Sequence, residues 1–182
     1  MYFDSSGPAN TEQTLKCAYQ RGSELGLTQA VVASTHGDTA YQALEIFAGF
    51  DITVVTYHCG FKEPFQSVMS KDVRSDLESK GVRVVSATHA LSGVERSLFK
   101  KYSGSFPVLI IADTLRLFGQ GTKVAIEVSI MAADAGMLTG DDIITIGGSG
   151  RGADTALVLK PANQSSLFDM RIREIVCKPR SF

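Results

Sequence analysis

The sequence is poor in cysteine and in net charge, and each shortage excludes something. The three cysteines, Cys17, Cys59 and Cys177, lie far apart and form no closely spaced pair. An odd, scattered set offers neither a disulfide framework nor zinc-type ligand spacing, so a reduced compartment, the cytoplasm, is expected. Lysine and arginine total 18 against 19 aspartates and glutamates, a net charge of −1. Nothing in that balance favours nucleic acid or an anionic membrane surface as a partner. Long apolar runs are missing too. "FPVLIIADTLRLF" is too short for a bilayer and carries Asp113 and Arg116. The opening "MYFDSSGPAN" has no basic stretch leading into an apolar one, so no signal peptide is expected. No Gly-Lys-Ser/Thr phosphate loop, His-Glu-x-x-His or Cys-x-x-Cys is present, and no acidic residue is spaced to complete a histidine metal site.

What is present describes one globular domain over residues 1–182, with 44% hydrophobic and 20% charged residues. Short apolar runs alternate with helical patterns. Strands are predicted near 30–34, 52–57, 82–87, 143–147 and 155–160, and "MRIREIVCKP" is strand-like. Helices are predicted over "PANTEQTLKCAYQRGSELGL", with Asn10 as cap and Gln13 three residues on, and over "DTAYQALEIFAG", "SKDVRSDLESKG" and "SGVERSLFKKY". "SFPVLIIADTLRLF" follows with Ser105 as cap, and then "TKVAIEVSIMAADAGML", apolar nearly all round and therefore buried. On that helix Glu127 and Asp134 share a face and mark its polar edge. Alternation of this kind builds a mainly parallel sheet between helical layers. The glycine loop after 147 is too short for a crossover helix, so 155–160 runs antiparallel to 143–147.

In such a sheet the loops after the parallel strands share one edge, where ligands bind. Here these loops are "STHGDT" (34–39), "TYHCG" (56–60), "THALSG" (88–93) and "GGSGRG" (147–152), and all three histidines, His36, His58 and His89, lie in them. The first has the features of a phosphate cradle: Gly37 for a tight turn, Asp38 or Thr39 opening a helix whose free amides favour an anion, and hydroxyls from Ser34, Thr35 and Thr39. A plain βα turn capped by Asp38 or Thr39 is the simpler alternative. The fourth loop, with Gly148, Ser149, Gly150, Arg151 and Gly152, precedes a strand instead of a helix, so it is no dinucleotide fingerprint. It brings one guanidinium to the edge, suited to forking onto a phosphate; the alternative is a hairpin with a surface arginine. One strong cation accounts for one phosphate, with Lys62 as a possible helper. Tyr57, Phe61 and the Leu117–Phe118–Gly119 break are candidates for an apolar wall, and Thr56, His58, Thr88 and His89 for hydrogen bonds to the rest of the ligand. Cys59 next to His58 suggests a thiolate, but neighbours on a strand end point apart.

"VVASTHGDTA", "ITVVTYH" and "DDIITIGGSGRGADTALVL" together resemble the C-terminal domain of pyruvate kinase, in which a strand, a Thr-x-Ser-Gly-x-Ser-like turn and a glycine-loop hairpin bind the phosphates of an allosteric sugar bisphosphate. The chain is more similar still to small stand-alone proteins of that fold, largely archaeal, along most of its length. The resemblance implies a three-layer α/β/α sandwich, mainly parallel with an antiparallel last strand. It implies a ligand site without kinase chemistry, which needs a barrel of about 250 residues. It also implies flavin mononucleotide (FMN) as the cofactor, as held by members of the stand-alone family. His36 and Asp38 depart from the enzyme's turn, and the added negative charge weighs against a bisphosphate. The expected function is binding of a phosphorylated small molecule, FMN first. The alternatives are a flavin-dependent oxidoreductase or acid–base enzyme using His58 or His89, and a sugar-phosphate sensor. Further copies of the chain are the expected macromolecular partner.

Overall fold

In the computed structural model, which describes residues 1–182, the five expected strands form within a residue or two of their predicted ends, and two more extend the sheet. The strands are β1 (Tyr2–Ser5), β2 (Gln29–Ala33), β3 (Asp51–Thr56), β4 (Arg83–Ser86), β5 (Ile143–Gly147), β6 (Thr155–Lys160) and β7 (Arg171–Ser181). Their order across the sheet is β1-β7-β6-β5-β2-β3-β4. Strands β5, β2, β3 and β4 are parallel, while β6 runs antiparallel to β5 in the register Gly147↔Thr155 to Ile143↔Leu159. The reversal follows from the loop: the residues between β5 and β6 cannot carry the chain back to the other end of the sheet. The strand-like tail, β7, adds antiparallel to β6, and β1 lies parallel to β7 at the far edge. β1 is a strand the sequence did not announce.

Period-2 alternation sends successive strand residues to opposite faces. Ala30, Val32, Ile144 and Ile146 pack against α1 (Thr11–Glu24), α2 (Asp38–Ile46) and α3 (Lys71–Ser79). Val31, Val55, Val85, Ile143, Leu157 and Leu159 pack under α6 (Gln120–Asp134). The connection from β4 to β5 inserts α4 (Gly93–Tyr102) and α5 (Pro107–Arg116) before α6. The result is the three-layer α/β/α sandwich with a mainly parallel sheet. No helix is long and apolar enough to cross a membrane.

Two expected caps are replaced. Asn10 occupies the cap position of α1 but with helical backbone angles; its side chain accepts no amide there and its Nδ2 donates to the Ser5 carbonyl instead. Ser105 stays outside α5, which starts at Pro107 behind an extended Phe106; the proline needs no amide acceptor there. Ser70 does cap α3, its hydroxyl accepting from the Val73 amide.

Chain direction fixes where the sheet opens. From β2 the chain proceeds outward to β3 and β4, then returns through α6 to β5 on the other side of β2. The C-terminal ends of β2 and β5 are therefore a topological switch point, with loops departing to opposite sides and a crevice between them.

Candidate functional site

The turn leaving β2 forms one wall of that crevice. Gly37 has φ 111°, and a Cβ there would stand 2.6 Å from a Val73 methyl, so glycine alone fits. The first turn of α2 opens at Asp38, and the cap position is Gly37, not Asp38 or Thr39. Ser34 Oγ accepts the Ala40 amide at 3.3 Å. The amides of Asp38 and Thr39 donate to no group of the chain, leaving two N–H bonds and the positive end of the helix facing the crevice. Thr56, at the end of β3, donates its hydroxyl to the Thr35 carbonyl at 2.9 Å and fixes the turn against the neighbouring strand.

The loop leaving β5 forms the facing wall, and a buried carboxylate shapes it. Asp154 is fully buried; it accepts from the amides of Gly7 and Ser149 at 3.1 and 3.2 Å and from the Thr155 hydroxyl at 2.8 Å. These bonds satisfy the charge without an ion pair and hold residues 148–153 in a tight arch. Gly152, with φ 71°, lets the arch lie against Pro8, whose Cα would be 2.7 Å from any Cβ at that position. Ser149 Oγ is buried without a partner. Arg151 is exposed at the tip and makes no ion pair or hydrogen bond within the chain.

Between the two walls lies a cavity of about 200 Å³. Ser34, Thr35, His36, Asp38, Thr39, Thr56, His89, Gly148, Gly150, Arg151 and Gly152 of the expected residues line it, together with Tyr57. Gly37, His58, Thr88, Phe118 and Ser149 do not, nor does Lys62. Gly37 turns toward Val73, and Ser149 toward Asp154. Thr88 packs near Gly93 at the start of α4. Phe118 sits half exposed at the α5–α6 junction. His58 belongs to a ring cluster with Phe61 and His89 and donates Nδ1–H to its neighbour's carbonyl, Cys59 O, at 2.8 Å. In that cluster Tyr57 stacks on Phe61 with centroids 4.0 Å apart, and His89 lies 4.9 Å from Phe61 and 5.3 Å from His58. Only Tyr57 and His89 of these rings reach the cavity.

The inner wall is one that sequence reasoning missed. It is a stripe of α6: Gln120, Val124, Glu127, Val128 and Met131. Glu127 does not mark a polar edge as expected; it is 3% exposed, whereas Asp134, the last residue of the helix, is exposed and accepts from Asn163 and Gln164. Burial comes from α5 and the sheet enclosing α6 on both sides. Glu127 is paired in the interior with Lys123, itself 4% exposed, and its other oxygen accepts the Leu91 amide at 2.9 Å. Burial pushes the Lys123 ammonium below its usual pKa, against the opposing pull of Glu127. Burial likewise holds His89 below the usual histidine value; the Glu127 carboxylate opposes this, and Lys123 reinforces it. His89 is thus a neutral imidazole at physiological pH, and its Nδ1 is buried without a hydrogen-bond partner. A signal for the pair was available in the sequence: two opposite charges at i and i+4 inside a helix otherwise apolar on every side.

The family described as "Pyruvate kinase, alpha/beta domain" matches residues 12–159, most of the chain, and the chain belongs to that family. Solved structures that it is similar to include Cryptosporidium parvum pyruvate kinase in complex with ADP, at 14% identity and a TM-score of 0.42, over 92% of this chain and 24% of that one. A second structure of Cryptosporidium parvum pyruvate kinase is similar at 13% identity and a TM-score of 0.36, over 77% of this chain and 21% of that one. The chain thus spans about a quarter or less of the length of these enzymes.

Proposed function

We propose that this chain binds a phosphate-bearing small molecule in the cleft between the turn at 34–39 and the arch at 148–152, and that FMN is the molecule it holds. One observation carries the phosphate: two unspent amides at the start of α2 and the unpaired guanidinium of Arg151 border one cavity from opposite sides. Amides in a helix's first turn and a forked arginine are complementary to a phosphate, and each charge-assisted bond is worth about 1.5–3 kcal/mol. Asp38 on the same rim limits the tolerated negative charge, which favours a monophosphate over a bisphosphate. The enclosed space of about 200 Å³ takes the phosphate and the chain attached to it. A flavin ring would lie at the open mouth, against Tyr57.

The size of the cavity favours a second reading, a sugar-phosphate sensor, since pockets enclosing larger ligands run from about 300 Å³ upward. One titration separates the two. FMN added to the purified, flavin-free protein is expected to lose fluorescence and raise the melting temperature, and Thr35→Ala with Arg151→Ala to weaken its binding at least tenfold. A rise in melting temperature with a sugar phosphate and none with FMN replaces the flavin by the sensor. Unchanged affinity in the double variant removes the cradle.

A further inference from the structure

The phosphate cradle uses only the outer half of the cavity. Its inner end is polar in a way the fold does not need. Glu127 and Lys123 are both more than nine-tenths buried, and the only hydrogen-bond partner of the ammonium is Glu127. An ammonium has three protons to donate, so two are unspent. The carboxylate accepts from Lys123 and the Leu91 amide and retains lone pairs. His89 shares the cavity with Glu127, and its Nδ1 is buried and unpartnered. An apolar pair at 123 and 127 would fill the same space at lower cost, because desolvating two charges offsets most of their attraction. Unsatisfied buried polar groups of this kind are redeemed when a ligand bonds to them.

The chemistry of that end selects its occupant. A carboxylate or second phosphate would face Glu127, an amine would compete with Lys123, and an alkyl group would leave His89 Nδ1 unpaired. A hydroxyl both donates and accepts, which suits a carboxylate acceptor and a neutral imidazole that offers one donor and one acceptor. We infer that the inner end of the cavity is a hydroxyl-recognition subsite, formed by His89 and Glu127 with Lys123 holding Glu127 in place, and that the ligand of this protein is a phosphorylated polyol bound at both ends. The inference rests on the phosphate cradle proposed above. Both FMN, through its ribityl phosphate, and a free sugar phosphate carry such a chain, so the subsite is compatible with either source.

A matched pair of ligands isolates the hydroxyls: ribitol 5-phosphate and pentyl phosphate have the same chain length and the same phosphate. Calorimetric titration of the wild-type protein is expected to show ribitol 5-phosphate binding at least tenfold more tightly. In His89→Leu that preference is expected to fall to within about threefold, and likewise in Lys123→Met/Glu127→Gln, which removes the buried charges together. His89 is only partly buried and carries no buried charge pair, so its variant keeps the test alive if the double variant does not fold. Equal affinity for the two compounds in the wild type, or a preference undiminished in His89→Leu, overturns the subsite and leaves the cradle standing. Failure of both compounds and of FMN to bind overturns the cradle, and the subsite with it.

Discussion

On the face of the sheet covered by α1, α2 and α3, the buried cluster consists of aliphatic side chains, a phenylalanine, a methionine and Cys177. On the opposite face, equally apolar neighbours enclose a lysine and a glutamate. The two faces also differ in how closely their helices approach. On the first, Gly22 of α1 faces side chains and no sheet backbone: a Cβ there would lie 3.0 Å from the Phe50 ring and 3.7 Å from an Ile144 methyl of β5. On the second, α6 rests backbone to backbone on β5: a Cβ at Gly147 would lie 2.7 Å from the Ala125 amide nitrogen. The first face is built like a general-purpose core that tolerates repacking. The second is built to hold α6 at one height, and that height puts Glu127 at the cavity.

The largest effect should come from breaking this approach. Gly147→Val forces α6 off the sheet, since a helix backbone cannot yield as a side chain can, and a loss of about 4 kcal/mol or more is expected in urea unfolding. Gly22→Ala is the control on the other face. The Phe50 ring can shift, and alanine gains about 1 kcal/mol of helix propensity, so stability should stay within about 1 kcal/mol of wild type. Similar losses for the two variants would erase the distinction between the faces.

Next in size is the buried pair. Lys123→Met leaves Glu127 charged and unpaired in the interior and should cost about 3–5 kcal/mol. Lys123→Met/Glu127→Gln should recover most of that, because the Leu91 amide keeps an acceptor and no charge remains buried. If the double variant is as unstable as the single one, the pair is a structural necessity and not a functional expense.

This pair also shows what the sequence conveys only in part. The strand-end loops were legible because apolar runs, glycines and helix starts are local signals, and chain direction alone sends them to one edge. Hence Thr35, His36, Asp38, Thr56, His89 and Arg151 were expected there and line the same cavity. Lys123 and Glu127 have the spacing of an exposed helical ion pair, and the packing of α6 between α5 and the sheet buries them. Phe118 is a candidate for the apolar wall by its place in the break between two helices, but whether its ring reaches the cavity depends on where α5 ends. β1 is four largely exposed residues whose pairing depends on the distant β7. Tertiary context decides each of these cases, and only the pair, two opposite charges inside an otherwise apolar helix, has a local sign.

The apolar face has its own ionisable probe. Burial pushes the Cys177 thiol from 9.0 up to about 11. The folded state therefore keeps this proton where the unfolded chain releases it. The contribution is whole below about pH 9 and is lost as pH rises toward 11. At about 1.4 kcal/mol per unit, wild type should lose roughly 2–3 kcal/mol more than Cys177→Ala between those limits. Equal slopes for the two proteins in alkaline urea titrations would mean that water reaches the thiol and that this face is less tightly closed than described.

The smallest effect on stability is expected at the rim of the cavity, where the two faces meet. Thr35 is half buried and Arg151 exposed, and neither side chain bonds to another group of the chain. The turn around Thr35 is held by its own carbonyl, which accepts from Thr56, and the arch around Arg151 by Asp154. Thr35→Ala/Arg151→Ala should thus change the unfolding free energy of the ligand-free protein by no more than about 0.5 kcal/mol. The same variant should lose about half or more of the stabilisation that a phosphorylated ligand gives the wild type, which at 100 times the wild-type dissociation constant is about 2.7 kcal/mol and falls to about 1.4 kcal/mol for tenfold weaker binding. Thermal unfolding with and without ligand measures both quantities in one experiment. A ligand-free loss well above 0.5 kcal/mol would assign these residues to the scaffold. Indifference of the unfolding temperature without ligand, together with a smaller rise than wild type shows when ligand is added, would assign them to binding, at the cavity rim where the amides of Asp38 and Thr39 and the Arg151 guanidinium are unspent.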